Sequence, residues 1–110
     1  MNVSVWNGFH YAKAIIQLAE EAGLQYEIGT TQELGIATAA QAHLGASMRN
    51  MPYICDPCGP VVYPKDVVEP PLRFEDGFMH IPTGLGLGVN LDRTKLAHLL
   101  VETAGEKVYP

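Results

Sequence analysis

The sequence predicts an α/β fold in which helices cross over between parallel strands, with too few strands to complete a sheet. Three stretches carry this. "YAKAIIQLAEE", Tyr11 to Glu21, repeats its apolar residues at helical spacing; "LQYEIG", Leu24 to Gly29, alternates like a half-buried strand; "LGIATAAQAHLGAS", Leu34 to Ser47, is a second helix of small residues. With "NVSVW" before them as the end of an earlier strand, the order is a β/α repeat, and parallel strands can be joined only through such crossovers. Two or three strands leave a parallel sheet incomplete, because such sheets are covered on both faces and have more strands. The chain therefore reads as part of something larger.

In the first helix Ala12, Ile15, Ile16, Ala19 and Ala22 form the apolar face, with Lys13, Gln17 and Glu20 between them. Gly23 is its expected stop, since glycine enters the left-handed region without steric cost. The strand that follows should place Leu24, Tyr26 and Ile28 on one face. The alanines and glycines of the second helix suit close packing against a sheet. After Asn50, "MPYICDPCGPVVYP" supplies one strand, Tyr53 to Asp56, then extended chain, with Pro57, Pro60 and Pro64 expected to exclude a helix. "LRFEDGFMHIP" is a hairpin signal, because Asp76-Gly77 is a favoured pair for a two-residue turn. "TGLGLGV" reads as a glycine-rich loop. "LDRTKLAHLLVETAG" reads as a final helix, capped by Asp92 and stopped near Gly105.

At 110 residues this is about one small domain, and 47% hydrophobic with 17% charged residues is a globular balance. A net charge of −5 and seven scattered basic residues disfavour nucleic-acid binding. No apolar run approaches the roughly 20 residues that span a membrane, so no membrane partner is expected. The opening "MNVSVWNGFHYAKAII" has neither a basic leader nor an apolar core of signal-peptide length. The expected compartment is the cytoplasm, where Cys55 and Cys58 would remain thiols.

Those two cysteines stand two apart in "CDPCGP". A zinc site needs about four ligands, yet there is no second cysteine pair, and His10, His43, His80 and His98 have no paired spacing. A redox site of the thioredoxin type needs its first thiol at a helix start. A small redox or zinc protein is thus the weaker reading, and two ordinary thiols the stronger. His43, among Ala39, Ala40 and Ala42, reads as a packing histidine. "GLGLG", Gly84 to Gly88, lacks the spacing of a dinucleotide fingerprint and opens no helix after a strand.

Four segments, "NGFHYAKAIIQLAEEAGL", "GTTQELGIATAAQAHLGAS", "CGPVVYPKDVVEPPLRFEDG" and "IPTGLGLGVNLD", give the chain a resemblance to the C-terminal part of the mandelate racemase/muconate lactonizing enzyme family of the enolase superfamily. It looks closest to the muconate-cycloisomerase-like branch, with Asn7-Gly8 standing where the family has Gly-Gly. The resemblance implies the C-terminal part of a TIM-type (β/α) barrel, from the end of the sixth strand near Val3 to Val5, through the seventh at Tyr26 to Gly29, to the eighth at Ile54 to Asp56. Residues 1–60 would be partial barrel. Residues 61–110 would be an extension whose hairpin and last helix return to the capping domain.

The family's three acidic metal ligands and its second-strand lysine motif belong to earlier strands. The resemblance therefore implies Mg²⁺ and a small carboxylate substrate for the complete enzyme, an isomerase or lyase that removes a proton alpha to a carboxylate. This chain alone is expected to bind no cofactor, to be inactive and to self-associate; a non-catalytic module that pairs with itself or with a complementary chain is the alternative. A TIM barrel keeps its active site at the C-terminal strand ends, which singles out three residues. Asp56, four positions before Pro60, matches the family's eighth-strand acid, which can hold a substrate ammonium or hydroxyl; without the resemblance it reads as a solvated loop aspartate. Glu33 would line the barrel mouth, or else face the dipole of the helix it precedes. Asn2 falls on the position of the sixth-strand lysine, and asparagine cannot take and return a proton as an amine does.

Overall fold

The computed structural model describes residues 6–51 and 53–100. Asn2 and the expected sixth-strand end at Val3 to Val5 lie outside the described residues. The helix that Asp92 caps does not run to a stop near Gly105: it ends at Leu99, and Leu100 is already extended at φ −67° and ψ 129°.

Helix α1 spans Phe9–Glu21 and follows Asn7 and Gly8, both left-handed at φ 57° and 91°. Asparagine tolerates that region better than other side chains, so it can occupy the first place of a Gly-Gly pair. The helix ends as Gly23 predicts. Gly23 is left-handed, its N–H reaches the Glu20 carbonyl at 3.1 Å, and the Leu24 N–H reaches the Ala19 carbonyl at 2.8 Å. These two bonds satisfy carbonyls that the helix end leaves open.

Helix α2 spans Gly35–Ala46 and is buried on most sides, through Gly35, Thr38, Ala39, Ala40, Gln41, Ala42 and Leu44. Its small side chains let neighbours approach from several directions. Ala40 and Leu44 join Ala12 and Ile16 of α1, and Tyr26 and Ile28, in one apolar core, with Cys55 and Leu87 packed against it.

Four further expectations need correction. Leu24 does not share the buried face of Tyr26 and Ile28; it is exposed, because it completes the end of α1 rather than starting a strand. The segments 24–29 and 53–56 are extended but are not ladder strands, and no parallel sheet forms among the described residues. One main-chain bond joins them, from the Asp56 N–H to the Ile28 carbonyl at 3.1 Å. In a parallel pair the next bond would run from the Ile28 N–H to the Ile54 carbonyl. The Cys55 Sγ accepts that N–H instead, at 3.2 Å, which interrupts the ladder.

The prolines do not exclude a helix after Cys58. A single turn, α3, forms at Gly59–Val62. Pro60 stands at its second position, where the missing N–H would have had no partner within the helix anyway. The strands that do form are antiparallel pairs of two residues each. β1 (Val68–Glu69) pairs with β4 (Asn90–Leu91), a pairing the sequence did not suggest.

β2 (Phe74–Glu75) pairs with β3 (Phe78–Met79) across the Asp76-Gly77 turn, both of whose residues have positive φ, as the favoured hairpin turn requires. Helix α4 spans Arg93–Leu99, and the Asp92 carboxylate accepts from the N–H groups of Thr94 and Lys95 as expected of its cap. Residues 84–88 form a loop, which His43 holds: its Nε2 lies 3.1 Å from the Leu87 carbonyl oxygen, so it joins α2 to the loop. No helix among the described residues is long and apolar enough to cross a membrane.

Candidate functional site

Asp56 ends the extended segment 53–56, and Glu33 lies in the loop between Gly29 and α2. The bond from the Asp56 N–H to the Ile28 carbonyl sets the aspartate beside Gly29. A Cβ on Gly29 would stand 3.5 Å from Asp56 Oδ1, so the carboxylate rests against this glycine. Asp56 is exposed.

Glu33 is folded back onto its own loop. Its carboxylate accepts from the Thr31 N–H at 2.8 Å, from the Thr30 hydroxyl at 3.0 and 3.1 Å, and from the hydroxyls of Thr31 and Thr38 at 3.3 Å. The turn that allows this passes through Gln32 at φ 60°, a left-handed value that is uncommon for a long side chain. Partial burial pushes the Glu33 carboxyl up, but the Thr31 N–H, its own N–H and the threonine hydroxyls outweigh it, and the pKa lies below the usual glutamate range. To the two uses expected of Glu33, lining the barrel mouth or facing the helix dipole, the structure adds a third: it organises the loop.

Gly59 brings the two segments together. A Cβ there would stand 1.6 Å from the Glu33 carbonyl oxygen and 3.2 Å from the Thr38 hydroxyl. Only a glycine allows α3 to sit this close to the start of α2, and Asp56 is carried on the same short stretch of chain. The spacing of "CDPCGP" contained this signal, since a glycine next to proline marks a turn, but nothing in it named Glu33 as the contact.

Cys55 and Cys58 are both free. Burial pushes the Cys55 thiol up, so the neutral form that accepts the Ile28 N–H is favoured. Among the described residues no three His, Cys, Asp or Glu side chains converge as a metal site would need. Glu33, with its oxygens engaged by threonines, and Asp56 do not make up a donor set for Mg²⁺, which takes octahedral oxygen coordination. A cleft of about 510 Å³ is lined by Lys65, Asp66, Val68, Lys95 and His98. Neither Glu33 nor Asp56 lines it, and neither lines a larger cleft of about 760 Å³ beside His10, Lys13 and Arg49.

The chain resembles proteins more than three times its length. A chloromuconate cycloisomerase of Cupriavidus necator is 36% identical over 84 residues, which are 76% of this chain and 23% of the relative. Muconate cycloisomerase 1 of Pseudomonas putida is 36% identical over 81 residues, 74% of this chain and 22% of the relative. The chain thus spans less than a quarter of the length of these curated relatives. Among solved structures, a muconate lactonizing enzyme from Klebsiella pneumoniae superposes with a TM-score of 0.80 at 31% identity, covering 84% of this chain and 26% of that one. An enolase from Gibberella zeae PH-1, complexed with magnesium, formate and sulfate, gives 0.75 at 36% identity, covering 86% and 22%. Residues 1–95 match the family described as enolase C-terminal domain-like, and the fold is that of the C-terminal region of muconate lactonizing enzymes. The chain belongs to the enolase C-terminal domain-like family.

Proposed function

We propose that this chain supplies one side of the mouth of a muconate-cycloisomerase-like active site, with Asp56 facing the substrate and Glu33 bracing the loop beside it. The observation that carries the reading is the pinning of Asp56: its N–H is held by Ile28, its carboxylate lies against Gly29, and Gly59 locks the same stretch to Glu33. An exposed carboxylate on a fixed backbone can hold a substrate hydroxyl or ammonium, or keep and return a proton, without reorganising.

In this reading segments 26–29 and 54–56 are the seventh and eighth barrel strands, residues 1–60 are the barrel part, and residues 61–110 are an extension towards a capping domain. The substrate is a small carboxylate, the reaction starts with loss of a proton alpha to that carboxylate, and the setting is cytoplasmic. Mg²⁺, when bound, would stabilise the charge that develops on the substrate. Its ligands would come from barrel strands other than those described here.

Exposed apolar side chains support a further barrel part. Ile54, two residues before Asp56, is 93% exposed, and Val61 and Val62 of α3 are more than half exposed. Surfaces of this kind invite association. Sedimentation of the chain alone should show self-association; a compact monomer at high concentration would count against the incomplete barrel.

The direct test is Asp56→Asn in a complete barrel containing this chain. It keeps the shape and removes the charge, so kcat/KM should fall more than about tenfold, or roughly 1.4 kcal/mol of transition-state stabilisation. Cys58→Ser should retain most of the activity. An inactive Cys58→Ser beside a normal Asp56→Asn would move the function to the thiol.

A further inference from the structure

Helix α2 begins without help from its own N-cap. Leu34 occupies that position and has no side chain that can accept a hydrogen bond, although the first N–H groups of a helix need acceptors. The acceptor comes from 31 residues further along the chain: Asp66 Oδ1 accepts from the Gly35 N–H at 2.9 Å. The same oxygen accepts from the Val67 N–H at 2.7 Å. Gly35 leaves room for this, since a Cβ there would stand 2.2 Å from Asp66 Oδ2 and 2.7 Å from Val68 Cγ2.

We infer that Asp66 is a positioning residue for the mouth: from the extension, its carboxylate holds the start of α2 in place and, through Leu34, fixes Glu33. The path is short and covalent. Gly35 is clamped, Glu33 is two residues earlier, and the Glu33 carbonyl is the atom against which Gly59 packs. The extension is thereby coupled to the loop that carries Glu33 and, through Gly59, to the stretch that carries Asp56. That this loop serves catalysis rests on the function proposed above; the clamp itself does not.

The test uses the 110-residue chain and two readings by nuclear magnetic resonance: the pH titration of the Glu33 carboxyl carbon and hydrogen exchange at the Gly35 amide. Asp66→Ala should raise the Glu33 midpoint by about half a pH unit or more, as the loop bonds that depress it loosen. It should also speed Gly35 exchange by about tenfold or more. Asp66→Asn keeps the accepting oxygen and should restore both.

Gly35→Ala should act like Asp66→Ala, because its methyl group displaces the carboxylate. Alanine is the better helix former, so an effect of helix propensity alone would slow exchange instead. A Glu33 midpoint that stays at its wild-type value in folded Asp66→Ala, or in Gly35→Ala should the first variant not fold, overturns the inference. Failure of the Asp56 role would leave these shifts untouched.

Discussion

From Phe9 to Leu44 the chain is held by an apolar core, whereas from Asp66 to Leu99 it is held by polar bonds and turns. In the first region α1, Tyr26, Ile28 and α2 bury their apolar faces against each other. In the second, the buried apolar side chains among the described residues are Val67 and Val68, α4 buries no residue fully, and every strand is two residues long. What replaces a core is a set of clamps. Asp66 holds the start of α2, the Asp92 N–H reaches the Val67 carbonyl at 2.8 Å, and Lys95 Nζ donates to the Val68 carbonyl at 2.9 Å and to Glu69 at 2.8 Å. Directional bonds can fix a geometry with little buried area, but each contributes a small net stability. The candidate site lies at the seam of the two regions: Glu33 belongs to the first, Asp56 and Gly59 to the stretch that joins them, and Asp66 of the second clamps the start of α2.

The largest test of that contrast is truncation of equivalent leucines. Leu44→Ala removes a fully buried core side chain and should cost about 2–5 kcal/mol. Leu96→Ala in α4 removes a half-buried one and should cost about 1 kcal/mol. Urea unfolding of the two variants measures the difference, and equal losses would abolish the distinction.

Next in size is the seam itself. Gly59→Ala drives a methyl group into the Glu33 carbonyl, and relief of that overlap should cost about 2–3 kcal/mol. Because the strain falls on the loop that carries Glu33, the Thr31 amide signal should shift more than any amide of α1; the reverse would place Gly59 outside the seam.

A smaller effect is expected at Tyr26, whose hydroxyl lies 2.7 Å from Glu20 Oε1 and 2.6 Å from the Asn50 carbonyl. Burial first, and then the hydrogen bond to Glu20 and its charge, push its pKa up from 10.0 to about 12. A raised folded-state pKa means that this stability is complete below about pH 10 and is lost as the pH climbs through about 12. Tyr26→Phe should cost about 1 kcal/mol at neutral pH and should flatten the alkaline limb of a stability–pH curve.

Glu33 gives the smallest effect and the opposite sign. Its folded-state pKa is depressed, so its contribution is complete above the ordinary glutamate value and fades as the pH falls through the lower folded value. Glu33→Gln should remove that acid-side loss while leaving the alkaline limb unchanged. An unchanged acid limb would show that the threonine bonds do not favour the charged form.

Local chemistry was legible in the sequence where a few neighbouring residues decide the outcome. The Gly23 stop, the Asp76-Gly77 turn, the Asp92 cap and both long helices follow from backbone preferences within one or two turns of chain. Asp56 and Glu33 could be named as candidates from the family resemblance, and the structure brings their segments together through Gly59. The outcomes that local preference did not decide depend on partners distant in sequence. A thiol, 27 residues away, takes the N–H that a strand ladder would have used. A carboxylate 31 residues further along the chain caps a helix whose own N-cap side chain cannot. The sequence by itself determined which residues turn, cap and alternate, because those preferences act between neighbours. The tertiary structure alone decided which acceptor each free N–H would meet and which glycine had to be bare, because those depend on atoms that only the folded chain brings into contact.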